Sequence, residues 1–209
     1  DDQAERVIWV KKSLPVVLVE GNPTGDFFDR AASYLGLALV PSAKAGDDWF
    51  MDPQVVDVSR VASLELENAA VVVLADVPRL PSGAASKIAD FVIKGGGLWI
   101  INGPKNEPAF YNSWKGGDGT LSPMRIGETI VPEGGIHAAP GSFDHPALRL
   151  FKGGAGDDLA EGLLDSYRSA SELVTGGKVA ATFENGEPFL ITRDYGRGRV
   201  MLSTCGLDG

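Results

Sequence analysis

The chain has 209 residues, of which 44% are hydrophobic and 22% are charged, and its formal net charge is −9. Such a composition is typical of a globular protein, and folding at this length buries roughly 70% of the surface that the unfolded chain exposes. The acidic balance, without any segment that concentrates Lys and Arg among aromatic residues, argues against nucleic acid and anionic membranes as partners. No apolar run approaches the ~20 residues of a membrane span, so membrane contact is expected only through segments outside this chain.

The ends of the chain and its cysteine content bear on cellular context. The sequence begins at Asp1 without a Met and stops at Gly209 directly after a strand-like run, which indicates a fragment of a longer protein. Its acidic start is unlike the basic start of a signal peptide. The single cysteine, Cys205, cannot form an internal disulfide, so cysteine usage leaves the compartment open.

Runs of β-branched residues alternate with amphipathic segments in the first half, as expected of β-α-β units around a mostly parallel sheet. Strands are predicted at residues 15–20, 37–40, 55–58, 70–75 and 98–102. One helix is predicted to begin after Thr24 as its cap and to end at Gly36. A second is predicted to begin near Pro81 and Ser82 and to end at the three glycines 95–97.

The second half of the chain has a different pattern. Residues 103–156 are rich in Gly and Pro, which predicts long loops at one end of the sheet, and a short helix is predicted at 157–164. Apolar runs then follow with the turn signals Asn185-Gly186 and Tyr-Gly-Arg-Gly between them, which predicts an antiparallel meander. The runs are residues 179–184, 188–193 and 199–204.

The predicted domain boundary lies near Ser13. Val7 and Trp9 fall on one face of an alternating segment, which is typical of an orphan strand from a preceding β domain. We therefore predict that residues 1–12 are the tail of such a domain. Residues 13–209 are predicted to form one three-layer α/β/α sandwich with a mostly parallel central sheet and a C-terminal antiparallel meander.

Four segments in a fixed order resemble a known domain type. They are residues 15–23 (PVVLVEGNP), 71–79 (VVVLADVPR), 95–103 (GGGLWIING) and 195–204 (YGRGRVMLST). Their succession resembles the class I glutamine amidotransferase-like, flavodoxin-like domain of bacterial membrane proteins that also carry von Willebrand type A domains, a group often described as aerotolerance-regulator-like. The segment DHPAL at 144–148 and the pair Tyr111-Asn112 also resemble that group. The last segment resembles, more distantly, trehalose-utilisation-type domains.

The resemblance implies a cellular role. Members of that group have transmembrane helices near both ends with soluble domains between them, and their function is poorly defined. The resemblance therefore implies that this chain is an extracytoplasmic module of a membrane-anchored bacterial protein. Its partners would be other proteins or other domains of the same chain, and a small-molecule or glycan ligand is a further option. No cofactor and no metal are expected.

The catalytic residues that the resemblance would require are missing. An active class I amidotransferase places a cysteine on the sharp turn after a central strand, where backbone N–H groups face the developing oxyanion. That turn here is Asn102-Gly103-Pro104, and Asn102 cannot act as such a nucleophile. The family's His-x-Glu pair should follow the last strand, yet residues 205–208 are Cys-Gly-Leu-Asp. We therefore expect a binding or scaffolding domain and not an amidotransferase.

A ligand site in this architecture is expected outside the carboxyl ends of the strands. The candidate ligand-binding residues are Glu20, Asn22, Asp76, Arg79, Asn102, Tyr111 and His145. The turn at residues 21–25 would suit either a phosphate or a plain helix cap, and the cap is the favoured interpretation because the hydroxyl row of flavin loops is absent.

Other chemistries stay open. A hydrolase with a rearranged site would need Asp76, Asn102 and His145 around one cleft, since a general base must reach its proton within about 3 Å or through one water. A carbohydrate-binding domain would instead line its pocket with exposed aromatics, and the candidates are Trp49, Trp114 and Tyr111.

Cys205 and the two histidines offer weaker possibilities for chemistry. Cys205 ends an apolar strand without a nearby histidine, so an inert buried thiol is favoured over a displaced nucleophile. His137 and His145 lack any metal-binding spacing.

Overall fold

The computed structural model of the chain describes residues 12–21, 26–27, 30–41, 49–117, 119–151 and 156–207. The strands are β1 (Leu14–Glu20), β2 (Met51–Asp57), β3 (Val71–Ala75), β4 (Gly97–Ile101), β5 (Lys115–Gly116), β6 (Gly119–Thr120), β7 (Met124–Ile130), β8 (Tyr167–Leu173), β9 (Gly177–Thr182), β10 (Pro188–Tyr195) and β11 (Gly198–Ser203). The helices are α1 (Ala31–Leu39), α2 (Ser82–Ile93), α3 (Pro108–Ser113) and α4 (Gly156–Glu161).

Seven strands form one sheet in the order β2-β1-β3-β4-β11-β10-β9. The pairs from β2 to β11 are parallel, whereas β10 is antiparallel to both of its neighbours. Two further two-stranded sheets are formed by β5 with β6 and by β7 with β8. The predicted α/β class and mostly parallel sheet are confirmed. The meander at residues 177–203 is antiparallel as predicted, but its last strand joins the parallel part through β4.

The sheet is covered on both faces, which explains its continuous apolar strands. Val17 and Val19 of β1 point into the core that contains the buried residues of α2. Val16 and Leu18 point the other way and pack with Ala31 and Ala32 of α1. The alternation of a strand therefore places one set of its residues in each of two core layers.

The first helix differs from its prediction. α1 begins at Ala31 and ends at Leu39, so residues 37–39 are helical and the strand predicted at 37–40 is wrong. Gly36 lies inside this helix, where a Cβ would stand 3.4 Å from both Leu18 Cδ1 and Val55 Cγ2. The close packing of α1 on β1 and β2 outweighs the low helix propensity of glycine. The predicted cap, Thr24, lies outside the described residues.

The end of α2 agrees with its prediction. Gly95 has a φ of +120°. Its N–H donates to Val92 O at 2.9 Å, and the N–H of Gly96 donates to Phe91 O at 3.0 Å. These two bonds form a Schellman motif, which satisfies carbonyls at the helix end and leads the chain into β4.

The region from residue 103 to 156 contains more regular structure than predicted. It includes α3, three short or medium strands, and 3₁₀ turns at Pro140–Ser142 and Pro146–Phe151. The partner of β7 is β8, which was not predicted at all. The sequence of β8 does not alternate between apolar and polar residues, because the buried positions include the charged Arg168. Across the described residues, the structure contains no helix with both the length and the hydrophobicity needed to cross a membrane.

Candidate functional site

The strand order places a topological switch point between β1 and β3, because the chain leaves β1 toward β2 on one side and returns as β3 on the other. Ligands of open α/β sheets bind at such points, at the carboxyl ends of the strands. Glu20 ends β1, Asp76 follows β3 and Asn102 follows β4. These predicted residues therefore lie at one edge of three adjacent strands, where Glu20 is 4%, Asp76 is 3% and Asn102 is 0% exposed.

The backbone around Asp76 is packed without spare room. Asp76 has a φ of +46°, a left-handed conformation that aspartate tolerates better than most side chains. A Cβ on Gly21 would stand 2.2 Å from Asp76 O, and a Cβ on Gly103 would stand 2.5 Å from Asp76 Cγ. The chain segments that leave β1 and β4 thus contact Asp76 in a way that only glycine permits.

The Asp76 carboxylate binds the loop after β4. Its Oδ1 accepts a hydrogen bond from the Lys105 N–H at 3.0 Å. The Lys105 Nζ lies 3.7 Å from Oδ2, and the lysine side chain is partly exposed. The carboxylate therefore stabilises the chain's own loop.

Glu20 occupies the start of α1. Its Oε2 accepts a hydrogen bond from the N–H of Ala32, the second residue of that helix, at 3.2 Å. A helix N-terminus attracts negative charge, and related folds bind phosphate there. Here the chain's own carboxylate takes that position. The rest of the turn proposed for phosphate, including Asn22, lies outside the described residues.

The turn after β4, which we call the elbow (residues 102–106), uses its N–H groups internally. The Asn102 N–H donates to Ser203 O at 3.1 Å. The Gly103 N–H donates to Asn106 Oδ1 at 2.5 Å, and the Lys105 N–H donates to Asp76 as described. Pro104 has no N–H. An oxyanion site needs N–H groups directed at a reacting atom, and the N–H groups of residues 102–105 are all engaged elsewhere.

A buried arginine holds the elbow from the other side. Arg168 Nη2 donates to Asn106 O at 2.7 Å and to Pro104 O at 2.9 Å, and its Nε donates to Gly103 O at 3.3 Å. Its Nη1 donates to Gly127 O at 3.4 Å. Among the described residues it pairs with no carboxylate, so carbonyl dipoles stabilise its charge. Sequence reasoning missed Arg168, since nothing in the sequence distinguishes a buried arginine from an exposed one.

Tyr111 is a core residue and not a pocket residue. Its hydroxyl donates to Val77 O at 2.5 Å, and burial raises the pKa of this hydroxyl well above its usual range. Trp114 is also buried and donates from Nε1 to Ala85 O at 3.2 Å. The expectation that Tyr111 and Trp114 are exposed glycan-binding aromatics is therefore wrong, and only Trp49 of the three is exposed, at 41%.

The neighbour of Tyr111 is structural as well. Asn112 binds the backbone of Ile126 through two hydrogen bonds, donating from Nδ2 at 2.8 Å and accepting at Oδ1 at 3.0 Å. The pair Tyr111-Asn112 therefore fastens α3 to the residue after Asp76 and to β7, which gives this motif a packing role.

Arg79 and His145 lie apart from the elbow. Arg79 is exposed, and its Nε is 3.8 Å from Glu107 Oε1. His145 Nε2 is 3.4 Å from Thr192 Oγ1 in β10, and its Nδ1 accepts the N–H of Ala147.

The sheet register gives the distance from Asn102 to Thr192, the residue that His145 contacts. Thr192 pairs with Met201, and Met201 pairs with Trp99. Strand spacing and rise then separate the Cα atoms of Thr192 and Asn102 by roughly 14 Å. The structure does not bring His145 to the elbow.

Cys205 is buried, as the sequence indicated. Burial raises the pKa of its thiol to about 12. The thiol is therefore protonated at neutral pH, and a protonated thiol is a poor nucleophile.

Metal-binding geometry is lacking in the part of the chain that the structure describes, where no three His, Cys, Asp or Glu side chains converge. The other histidine, His137, has its Nδ1 2.9 Å from Ala160 O.

A cleft opens beside the elbow, at the carboxyl ends of β4 and β11. Its volume is about 490 Å³, and we call it the elbow cleft. Its lining residues are Pro104, Leu163, Leu164, Asp165, Ser166, Gly206 and Leu207. A larger concavity of about 800 Å³ lies near Ala70 and Gly96, before β3 and β4 begin. That is the amino edge of the sheet, so of these two spaces the elbow cleft is the better candidate for a site in this architecture.

Comparisons with known proteins give structural likenesses only. No protein-family model matches the chain, and no curated protein does. Cytoplasmic Protein STM3548 from Salmonella typhimurium is 17% identical with a TM-score of 0.65, and the match covers 92% of this chain and 87% of that one. A ThuA-like protein from Parabacteroides merdae is 15% identical with a TM-score of 0.51, over 92% and 79% of the two chains.

A third solved structure contains the fold as one part of a larger protein. The β-galactosidase from Bacillus circulans sp. alkalophilus is 13% identical with a TM-score of 0.56, and the match covers 92% of this chain but 28% of that one. At such identities these likenesses establish the fold alone. They agree with the glutamine amidotransferase-like architecture and with the distant resemblance to trehalose-utilisation-type domains.

We predict that Arg168→Met destabilises the chain by about 3 kcal/mol or more, because several carbonyl groups lose a buried charged donor. The control is Arg125→Met on the neighbouring strand β7, where the arginine is exposed and 3.7 Å from Glu172. It should change stability by less than about 0.5 kcal/mol. Urea unfolding of both variants measures the difference, and equal stabilities would contradict the role given to Arg168.

Proposed function

We propose that this chain is a non-catalytic, amidotransferase-like module that acts by binding a ligand or a protein partner. The observation that carries the proposal is the internal use of every N–H group from Asn102 to Lys105. Catalysis of acyl transfer depends on such N–H groups pointing, before the substrate binds, at the position that the reacting oxygen will occupy. Here they donate to Ser203, Asn106 and Asp76 instead.

The side chains support the same conclusion. Asn102 replaces the nucleophile of the resembled enzymes and is fully buried. The one thiol, Cys205, is protonated at neutral pH because of its burial. A hydrolase built on Asp76, Asn102 and His145 has less support, because His145 contacts β10 and not the elbow.

An assay of turnover tests the proposal. The purified chain should release no ammonia from glutamine and should not hydrolyse p-nitrophenyl esters or glycosides faster than Asn102→Ala does. Asn102→Cys should also stay inactive, since the N–H groups of Gly103 and Lys105 remain engaged. Turnover by the wild-type chain that disappears in Asn102→Ala would overturn the proposal, and so would glutaminase activity in Asn102→Cys.

We also propose the cellular context, which is supported by the resemblance of the four segments to domains of von Willebrand-associated membrane proteins. In this proposal the chain is the extracytoplasmic part of a membrane-anchored bacterial protein. A fusion of alkaline phosphatase to the full-length protein at the position of Gly209 should be active, because this enzyme matures only outside the cytoplasm. An inactive fusion, with a soluble cytoplasmic protein on fractionation, would contradict it.

A further inference from the structure

A small chamber extends the elbow cleft inward. Pro104, Ser166 and Gly206 line both spaces, so the chamber adjoins the cleft. Its volume of about 10 Å³ is close to the space taken by one water molecule. Asn102 and Arg168 also line the chamber. The chamber therefore accommodates one non-hydrogen atom of a ligand.

Asn102 lines this chamber and carries a buried hydrogen-bond acceptor. Its Nδ2 donates to Ser203 O at 2.9 Å, which fixes the orientation of the amide, since the reverse orientation would oppose two oxygens. Its Oδ1 is buried and has no hydrogen-bond partner among the described residues. A buried acceptor in this state is unfavourable, and a donor in the chamber would remove that cost.

The charges around the chamber select the donor. Arg168 lines it, and a second cation beside this buried guanidinium would be repelled. A carboxylate tip would be attracted by the Arg168 guanidinium, but it has no proton to donate, so it would oppose Asn102 Oδ1 and leave that acceptor without a donor. A neutral hydroxyl fits better. It can donate to Asn102 Oδ1. It can also accept from Arg168, whose four hydrogen bonds to described residues use four of its five N–H groups.

We propose that the elbow cleft binds a neutral alcohol or polyol, with one terminal hydroxyl in the chamber and the carbon chain in the cleft. The apolar side chains of Leu163, Leu164 and Leu207 line the outer part, and Ser166 stands where the two spaces meet. This inference rests on the proposed function, because it assigns to the elbow a ligand that is held and not converted.

Matched four-carbon probes test the inference on the ¹⁵N-labelled 209-residue chain. 1-Butanol, butylammonium and butyrate differ only in the group that would enter the chamber. We expect 1-butanol to shift the side-chain amide of Asn102 and the backbone amide of Gly103 saturably, with a Kd on the order of millimolar, as suits so small a ligand. Butylammonium should bind at least about tenfold more weakly because Arg168 repels it. Butyrate should also bind at least about tenfold more weakly, because it cannot donate a hydrogen bond to Asn102 Oδ1.

Two variants guard against misinterpretation. Asn102→Ala removes the acceptor, and Ser166→Phe blocks the passage without altering Asn102, so each should weaken 1-butanol binding at least about tenfold. The control, Ser86→Phe, is an exposed position on α2 away from the cleft and should leave binding unchanged. If Asn102→Ala fails to fold, Ser166→Phe alone decides.

Several results would overturn the inference. They are the absence of a saturable shift with 1-butanol, equal binding of all three probes, unchanged binding in Ser166→Phe, or a chamber occupied by a resident water that the alcohol does not displace. Each is distinguishable from failure of the proposed function, which would appear as Asn102-dependent turnover in the separate assay. Absence of binding together with absence of turnover would overturn this inference alone.

Discussion

The contact of Gly21 and Gly103 with Asp76 is the constraint on which the carboxyl edge of the sheet depends. Both glycines lie where a Cβ would overlap atoms of Asp76, and Asp76 itself has a positive φ. The exits of three adjacent strands are therefore fixed relative to one another. Because the Asp76 carboxylate then holds the Lys105 N–H, the same residue also determines the path of the elbow.

This packing uses the groups that a catalytic site would need. The Glu20 carboxylate takes the position at the start of α1 where related folds bind an anion. Asn106 accepts the elbow N–H of Gly103, and Arg168 donates to the elbow carbonyls. Stability and catalysis compete for such groups, since a preorganised donor in an active site must be left unsatisfied until substrate arrives. In the proposed function the competition is resolved in favour of structure. Asn102 Oδ1 has no hydrogen-bond partner in the part of the chain that the structure describes.

Much of the fold was predictable, because strands marked by apolar runs and helix ends marked by glycine are determined by the local sequence. β1 and β3 at the switch point and the end of α2 at the glycines 95–97 were predicted correctly, whereas β2 begins at Met51 and not at residue 55 as predicted. The helix through Gly36 was not, since its cause is packing against β1 and β2. For the site, sequence order indicated that Glu20, Asp76 and Asn102 share one edge. It could not indicate Arg168, because that side chain is buried against the elbow and β7, whose residues are 41 to 65 positions away in the sequence.

Amide hydrogen exchange at the elbow tests the central claim most directly, since the claim is that the elbow N–H groups are engaged. Gly103 and Lys105 should exchange at least about a thousandfold more slowly than an exposed loop amide such as Gly134. Asn106→Ala should abolish the protection of Gly103 while leaving Gly134 unchanged, because Asn106 Oδ1 is the acceptor of the Gly103 N–H. Exchange of Gly103 and Lys105 as fast as that of Gly134 in the wild-type chain would contradict the account, because it would leave these donors free for a substrate.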